Sequence, residues 1–258
     1  MSASKTAAAL PAAQSLWQQT LGWQPTAEQQ RQFQAVYEGV LIGNQQMNLT
    51  RITEPQDFWE KHLWDSLVGL APWLAPAAVP DLAEVAAIPI QRAVDIGTGA
   101  GFPGLPAAIA CPHWQVTLLD ATQKKVRFLE ELTTGLPLTN VQLIANRAEL
   151  LGRQPSHREQ YDLALLRAVG AANICAEYAL PLVAIGGIVV MYRGQWTAPE
   201  AEALTAAAHI LGGKILAIQP WQTPHTQGTR HCIYLQKVQP TPAASPRPAG
   251  IPNKQPLS

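Results

Sequence analysis

Two carboxylates and three glycines are the residues of this sequence that point most directly to chemistry. Asp95 lies in a short apolar run that ends in Gly97, Gly99 and Gly101 at alternate positions, and Asp120 comes 23 positions after Gly97. Glycine lets a turn adopt positive φ and lets a ligand approach the main chain closely. In doubly wound sheets a carboxylate about 20 residues beyond such a turn accepts ribose hydroxyls. The spacing therefore predicts a site for a nucleoside cofactor.

The residues of the turn also distinguish between nucleoside cofactors. A nicotinamide-binding turn calls for a glycine at position 102, where this chain has Phe102. The fixed carboxylate of Asp95 suits a cationic, amine-bearing ligand better than a pyrophosphate, because opposite charges attract. We therefore predict a pocket for S-adenosyl-L-methionine (AdoMet).

The segments around the turn alternate between strand and helix patterns. Strand 92–96 enters the turn and helix 103–110 leaves it. The segments that follow are predicted as strands 116–120, 141–145, 161–166 and 187–192 and helices 122–134, 171–180 and 198–210. This alternation predicts an α/β fold with a doubly wound parallel sheet. Strands 214–219 and 231–237 have no helix between them, so we expect an antiparallel pair at one edge.

Composition divides the chain into four segments. Residues 1–71 are predicted as an N-terminal helical extension, in which Thr26 with Gln29 and Thr53 with Gln56 resemble capping boxes. Residues 72–91, rich in Pro and Ala, are predicted as a surface linker with at most one helical turn. Residues 92–238 form the predicted AdoMet-binding domain. Six of the last twenty residues, 239–258, are prolines without an apolar period, which predicts a disordered tail.

Charge and cysteine content limit the partners and the compartment. The 18 basic and 18 acidic residues balance, so an RNA partner must be recognised by a local patch. Cys111, Cys175 and Cys232 are odd in number and far apart, which fits neither a disulfide framework nor a metal site. No apolar run reaches the roughly 18 residues of a membrane span. We expect a cytoplasmic monomer without a metal or a membrane partner.

Several short motifs carry a resemblance to one family. They are Met47-Asn48-Leu49-Thr50, Lys61-His62-Leu63-Trp64-Asp65-Ser66, the turn at 95–104, Leu118-Leu119-Asp120, Lys124-Lys125-Val126-Arg127-Phe128-Leu129, Arg147-Ala148-Glu149, Leu166-Arg167-Ala168 and Arg230-His231. From about residue 44 to residue 237 the chain resembles the bacterial small-subunit rRNA guanine-N7 methyltransferase G family (RsmG, also called glucose-inhibited division protein B). The resemblance implies a class I AdoMet-dependent methyltransferase with a Rossmann-like fold, acting on N7 of one guanine in 16S rRNA of the small ribosomal subunit.

The resemblance also implies which residues contact AdoMet. Together with Gly99 of the turn, they are Gly97, Phe102, Asp120, Ala121, Thr122, Ala148, Glu149 and Arg167. The backbone of Ala148-Glu149 can hydrogen-bond the adenine edge. Arg167 ends a strand, where its guanidinium could hold the methionine carboxylate in a bidentate pair. The longer linker, the proline-rich tail and Tyr192-Arg193-Gly194, where the family often has Lys-Gly, depart from the family pattern.

Guanine N7 presents an in-plane lone pair, so attack on a sulfonium methyl group needs no general base. Alignment of the reacting atoms and exclusion of water suffice. We therefore predict no catalytic dyad, and assign Arg193 and His62 to positioning of the base and the RNA. The basic residues that could contact RNA are Lys61, His62, Lys124, Lys125, Arg127, Arg193 and Arg230. His62 lies in an apolar helix, which favours a hydrogen-bonded packing residue over a catalyst.

Three other functions remain open at this point, because a fold and a methyl donor do not fix the acceptor. The first is a methyltransferase that acts on a small molecule or a protein. The second is a non-catalytic RNA-binding assembly factor that retains the nucleoside pocket. The third, an NAD-dependent oxidoreductase, is disfavoured by Phe102.

Overall fold

The predicted strands form one mixed sheet. The computed structural model describes residues 8–258. Within them the strands are β1 Arg92–Ile96, β2 Gln115–Asp120, β3 Val141–Ala145, β4 Tyr161–Arg167, β5 Val183–Arg193, β6 Gly213–Gln222 and β7 Thr229–Lys237, paired in the order β3-β2-β1-β4-β5-β7-β6. Strands β1 to β5 are parallel, whereas β7 is antiparallel to β5 and β6. The doubly wound sheet and its antiparallel edge pair are confirmed, with β6 outermost and β7 as the reversed strand.

Helices surround this sheet and precede it. In the described part of the chain they are α1 Gln14–Leu21, α2 Ala27–Asn44, α3 Pro55–Phe58, α4 Asp65–Leu67, α5 Ala71–Leu74, α6 Ala83–Ala86, α7 Gly104–Ala110, α8 Gln123–Thr134, α9 Ala148–Leu151, α10 Ala172–Ala179, α11 Ala198–Ile210 and α12 Ile251–Lys254. A π-helical turn, Trp59–Trp64, joins α3 to α4. None of the helices within residues 8–258 is both long and apolar enough to cross a bilayer.

The two faces of the sheet are covered by different parts of the chain. Successive side chains of a strand point to opposite faces. Ala93 therefore packs into a core that includes residues of α1, α2 and α7, while Val94 and Ile96 pack into a second core with α10 and α11. Asp95 alternates with Val94 and lies on the first face. The N-terminal helices thus form one wall beside the acidic residue of the glycine turn.

The N-terminal extension is attached to the sheet domain by hydrogen bonds as well as by apolar packing. The Thr26 capping box is confirmed: the side chain of Thr26 accepts from Gln29 N at 3.2 Å, and Gln29 Oε1 accepts from Thr26 N at 2.9 Å. Gln29 Nε2 also donates to Ile109 O in α7, at 2.9 Å. The second capping pattern is wrong, because α3 follows Glu54 and no side chain caps it.

The linker has more structure than the sequence predicted. Between α5 and α6 lie two 3₁₀ turns, Pro76–Ala78 and Pro80–Leu82, each begun by a proline, a residue whose fixed φ suits the first position of a helix. Leu82 and Val85 are buried. The prediction of a surface linker with at most one helical turn is therefore wrong: prolines start short helical turns here, and apolar residues between them pack against the core.

The tail is ordered in the structure, contrary to the prediction of disorder for residues 239–258. Arg158 donates to Thr241 O at 2.7 Å and to Ser245 O at 2.8 Å, and Arg247 pairs with Glu177 of α10 at 2.6 Å. Proline-rich chain lacks N–H groups for regular pairing but keeps its carbonyls. Arginine side chains of the sheet domain supply the missing donors. These contacts join residues far apart in the sequence, so the local spacing of apolar residues could not predict them.

Candidate functional site

The glycine turn connects β1 to α7 at the carboxyl end of the sheet. Gly97, Gly99 and Gly101 have φ of 74°, 61° and 98°, the left-handed region that favours glycine. Gly97 N donates to Leu119 O at 2.8 Å, which ties the turn to β2. A Cβ on Gly101 would overlap Leu105, whereas one on Gly99 would meet nothing closer than 3.9 Å. Gly99 is therefore the position where the main chain borders open space.

Asp95 is fully buried beneath the turn. Its Oδ2 accepts from Thr98 Oγ1 at 2.6 Å and from Gly104 N at 2.7 Å, while Oδ1 has no hydrogen-bond partner. Burial raises the pKa of Asp95 to about 7, although these two hydrogen bonds act in the opposite direction. A buried carboxylate oxygen without a donor is a place where a cationic or amine ligand lowers the free energy. The observation fits the amine-bearing AdoMet.

Asp120 ends β2 opposite the turn. Its Oδ1 accepts from Thr122 N at 2.8 Å and its Oδ2 from Gly99 N at 3.0 Å, with Lys125 Nζ 3.8 Å from Oδ2. Each carboxylate oxygen can accept more than one hydrogen bond. The carboxylate is thus fixed by two backbone donors and retains acceptor capacity for the two hydroxyls of a ribose.

A cavity of about 130 Å³ lies beside Asp120 at the carboxyl ends of β1, β2 and β3. It is lined by Ile96, Gly97, Leu119, Asp120, Ala121, Asn146, Arg147, Ala148, Glu149, Val169 and Tyr178. This volume is below the roughly 300–1,000 Å³ of typical ligand pockets. It can enclose only part of an AdoMet molecule, so the remainder must extend past the cavity or displace side chains at its mouth.

Glu149 forms part of the wall of this cavity and is itself held from two sides. Its Oε1 accepts from Arg147 Nη2 and from Gly250 N, both at 2.9 Å. Burial opposes ionisation of this carboxyl group, but the hydrogen bonds from Arg147 and Gly250 outweigh that effect and lower its pKa. These two hydrogen bonds fix the ionised Glu149 at the start of α9, beside the cavity.

Phe102 and Arg167, two predicted cofactor contacts, lie together outside the residues that line the cavity. The ring of His62 stacks on that of Phe102, with 4.6 Å between the ring centres, and the Arg167 guanidinium lies 5.6 Å from the centre of the Phe102 ring. Arg167 Nη1 donates to Asp65 Oδ2 and to Lys61 O, each at 2.9 Å. The guanidinium is therefore engaged by the π-helical turn and by Asp65 of α4, and its contacts do not support the proposed bidentate pair with a methionine carboxylate.

His62 has the environment of a packing residue. Its Nε2 lies 2.8 Å from Thr50 Oγ1 and its Nδ1 3.2 Å from Arg167 Nη2. Burial, with the nearby positive charge of Arg167, lowers the pKa of His62 to about 3. The ring is neutral at physiological pH and both nitrogens have partners, so it orients Phe102 and Arg167 and is poorly suited to proton transfer.

Arg193 is also engaged within the protein. It donates to Gly170 O at 2.6 Å and to Glu200 Oε1 at 2.8 Å, which connects the end of β5 to the loop after β4 and to α11. Its role in positioning the base stays a prediction. Among the other basic residues, Lys61 pairs with Asp57 at 2.8 Å and Arg230 with Asp65 at 3.2 Å.

Lys124 and Arg127 lie at a second, larger cavity of about 470 Å³ between α2 and α8, which also includes Met47 and Phe128. Neither side chain is paired with a carboxylate within residues 8–258. Helix α8 begins three residues after Asp120. These two cations therefore lie on the helix that starts at the predicted cofactor site, as a local RNA patch requires.

Sequence patterns missed part of the cavity wall. Asn146, Val169 and Tyr178 line it but were not predicted. Asn146 and Val169 follow the ends of β3 and β4, so the rule that loops at the carboxyl edge build the site could have identified them. Tyr178 lies inside α10, and no local pattern distinguishes it from an ordinary helical residue.

The sheet order, the glycine turn at the carboxyl end of β1 and the carboxylate at the end of β2 define a class I AdoMet-dependent methyltransferase. The sequence model of the GidB family, described as rRNA small subunit methyltransferase G, matches residues 29–232. The chain belongs to this family of enzymes.

Curated relatives of this chain carry the name ribosomal RNA small subunit methyltransferase G. The chain is 53% identical to the one from Nostoc punctiforme, with 96% of this chain and 98% of the relative covered. It is 52% identical to the one from Trichormus variabilis over the same shares. Among solved structures it is similar to a 16S rRNA (adenine(1408)-N(1))-methyltransferase from Catenulisporales acidiphilia, with a TM-score of 0.49, 18% identity and coverage of 62% and 92%.

Proposed function

We propose that this enzyme transfers the methyl group of AdoMet to N7 of one guanine in the 16S rRNA of the small ribosomal subunit. The observation that carries the proposal is the match, over nearly the whole length of both chains, to a relative named for small-subunit rRNA methylation. The choice of guanine N7 comes from the resemblance of the short motifs to the RsmG family. The geometry of the site supports AdoMet as the methyl donor.

When bound, AdoMet supplies an electrophilic methyl group on a sulfonium centre. We infer that Asp120 holds the ribose and that the Ala148-Glu149 backbone contacts the adenine. Asp95 is not among the residues that line the cavity, so we infer that its buried charge acts on the positive end of the ligand from beneath the turn. Gly97 and Gly99 border the ligand, and Ala121 and Thr122 form the turn that fixes Asp120. Phe102, held by His62 and Arg167, forms a rigid aromatic wall next to the turn.

A reaction at guanine N7 is compatible with the protonation states of this site. The N7 lone pair forms the new bond to the methyl carbon while the carbon–sulfur bond breaks and its electrons remain on sulfur. No proton is removed from N7. His62, with a pKa lowered to about 3, is neutral near pH 7, and a reaction at the N7 lone pair does not require it as a base. Rate enhancement is then expected from alignment and exclusion of water.

Lys124 and Arg127 are proposed as the local patch that meets the phosphate backbone, since the chain has no net charge to attract RNA. Lys125 lies beside the cofactor site, with its Nζ 3.8 Å from Asp120 Oδ2. Arg193 ends β5, at the edge of the sheet that carries the glycine turn. We infer that Arg193 helps to position the guanine by holding the loop that contains Gly170. The cation on Lys61 is already paired with Asp57.

We also propose that the enzyme acts as a monomer in the cytoplasm. Cys111, Cys175 and Cys232 are buried free thiols, which suits a reducing compartment. The exposed large apolar side chains of the described chain belong to six different elements or loops, and apolar residues exposed singly are normal on a monomer. They are Ile42, Leu150, Ile185, Ile210, Ile218 and Val238.

Mass spectrometry of 16S rRNA from cells with and without this protein tests the function. We expect one 7-methylguanosine to be missing from cells that lack the protein and to return when purified enzyme and AdoMet are added to that RNA or to its subunits. Transfer of the label from AdoMet to a metabolite or protein pool, with the rRNA unchanged, would identify a different acceptor. Binding to the subunit without modification would identify an assembly factor.

A further inference from the structure

The C-terminal segment contacts the wall of the cofactor cavity. Gly250 N donates to Glu149 Oε1, the same oxygen that accepts from Arg147. Glu149 is only 2% exposed, and the loss of a donor to a buried charged group is costly. Gly250 has φ of 84°, and a Cβ there would meet nothing within 4 Å, so glycine is required by the turn that directs its N–H rather than by space. The tail thus supplies one of the two donors that fix Glu149.

Helix α10 holds the tail on both sides of Gly250. Arg247 donates to Glu177 through its backbone N at 2.8 Å and through its guanidinium at 2.6 to 3.1 Å. Asn173 Nδ2 donates to Leu257 O at 2.6 Å. Asn173 and Glu177 are four residues apart and so share one face of the helix. The same helix contributes Tyr178 to the cavity, so α10 fixes the tail and one cavity wall together.

The first part of the tail is anchored independently of Glu149. Thr241 accepts from Arg158 and its hydroxyl contacts the buried Lys237, while Arg153 donates to Pro246 O at 2.9 Å and to Ala244 O at 3.4 Å. Removal of the residues after Pro246 therefore leaves this first set of contacts in place. The two halves of the tail can be tested separately.

We propose that residues 247–258 are a positioning element of the AdoMet site, which fixes Glu149 through the Gly250 N–H and thereby sets the Ala148-Glu149 backbone that contacts the adenine edge. The inference rests on the proposed assignment of the cavity to the adenosine part of AdoMet. It gives the proline-rich tail a role in recognition of the adenine of AdoMet. Residues of the tail do not touch the reacting atoms in this arrangement, so they position and do not catalyse.

The test compares binding of two ligands, S-adenosylhomocysteine and S-inosylhomocysteine, by isothermal titration calorimetry. The variants are Arg247→Ala and a chain that ends at Pro246. We expect the affinity for the adenosine ligand to fall about tenfold, the effect of one lost hydrogen bond to a charged group, and the affinity for the inosine ligand to fall less. The preference for adenine over hypoxanthine should therefore decrease. A purely structural tail would weaken both ligands by the same factor.

Arg153→Ala is the matched control, because it removes an arginine contact to the first part of the tail and leaves the donors to Glu149 and residues 247–258 in place. We expect it to leave both affinities unchanged. Thermal unfolding establishes that each variant is folded. Asn173→Ala removes the contact with Leu257 and a local hydrogen bond from Ile174 N. It provides a second variant with the same expected direction should Arg247→Ala fail to fold.

Unchanged adenine preference in folded Arg247→Ala, Asn173→Ala and the shortened chain would overturn the proposal. Asp120→Ala separates this result from a failure of the site assignment. If Asp120→Ala weakens binding and the tail variants do not, only the role of the tail is wrong. If Asp120→Ala also leaves binding unchanged, the cavity is not the cofactor site, and the assignment of the cavity and the role of the tail are both wrong. The proposed function is decided separately by the mass spectrometry of 16S rRNA.

Discussion

Asp95 and Asp120 lie 25 positions apart and flank the same turn, yet their surroundings give them different properties. Asp120 is 6% exposed and has a backbone donor on each oxygen, whereas Asp95 is fully buried with one oxygen unpaired. A carboxylate with fixed geometry and spare lone pairs suits neutral hydroxyls. A buried one with an unpaired oxygen suits a cation.

Asp120→Ala is expected to weaken binding of S-adenosylhomocysteine by about a hundredfold, since two hydrogen bonds from ribose to a charged group are lost. Calorimetry measures the change. Asp162→Ala is the matched control, because Asp162 also accepts two backbone N–H groups, from Gln91 and Arg92, but at the opposite end of the sheet. Equal affinities for Asp120→Ala and the unmodified protein would remove the ribose assignment.

Asp95 is expected to make AdoMet binding depend on pH. Its pKa of about 7 in the ligand-free protein means that the carboxyl group is largely protonated below that pH. A cation near Oδ1 favours the ionised form, so binding must release a proton and must tighten as pH rises. We expect the affinity to increase up to about tenfold per pH unit between about pH 5.5 and pH 7.

Calorimetry in buffers of different ionisation enthalpy measures this proton release directly. Asp95→Asn, which keeps the shape but cannot ionise, should abolish the release and flatten the dependence on pH. Retention of the same proton release in Asp95→Asn would show that another group titrates. The control for folding is the thermal unfolding midpoint of the two proteins at one pH.

At the scale of secondary-structure elements, the glycine turn combines two requirements within a few residues. Gly101 must be small because α7 and α8 pack against it, through Leu105 and Leu129. Gly99 faces open space, and its N–H holds Asp120. One glycine therefore serves the packing of helices on the sheet, and the other serves the ligand.

Gly99→Ala and Gly101→Ala are a matched pair that separates these requirements. We expect Gly101→Ala to lower the free energy of unfolding by about 2–3 kcal/mol, since its Cβ overlaps a packed leucine in a strained backbone conformation. Gly99→Ala should lower it by only about 1 kcal/mol but weaken binding of S-adenosylhomocysteine about tenfold or more. Chemical denaturation and calorimetry measure the two quantities. Equal stabilities of the two variants would contradict the packing difference.

On the scale of the whole molecule, the even balance of charge makes the placement of individual cations decisive. The β1 to β5 strands all end at the edge that carries the glycine turn, and α8 begins at that edge with Lys124 and Arg127. Strand β6 runs parallel to β5, because both are antiparallel to β7. Lys214, at the start of β6, therefore lies at the opposite edge of the sheet.

Replacement of Lys124 and Arg127 together by Ala is expected to weaken binding of 16S rRNA about tenfold at physiological salt and to reduce the slope of log affinity against log salt by about one to two. Lys214→Ala, which removes the same type of charge from the far edge, should change neither quantity. Filter binding at several salt concentrations measures both. An equal loss in Lys214→Ala would indicate a non-specific effect of charge and contradict a local patch.

Short-range patterns in the sequence determined most of the strands and the core of the site. Apolar runs with glycine after them located β1 and its turn, and β2 with Asp120 followed from the spacing. These features depend on neighbouring residues, since strand alternation, positive φ and capping are local physics. The Thr26 capping box was correct for the same reason.

Only the tertiary structure decided which partner each polar side chain takes. Arg167 is paired with Asp65, 102 positions away, and Glu149 with Gly250, 101 positions away. The sequence predicted that Arg167 would be free to bind a ligand and that the tail would be disordered. Both predictions came from local patterns, which contain no information about partners supplied by a distant segment. Burial then raised the pKa of Asp95 to about 7 and lowered that of His62 to about 3, because it disfavours the charged form of each group. The residue types fixed what chemistry the site could hold, and the long-range contacts fixed which groups remain free to do it.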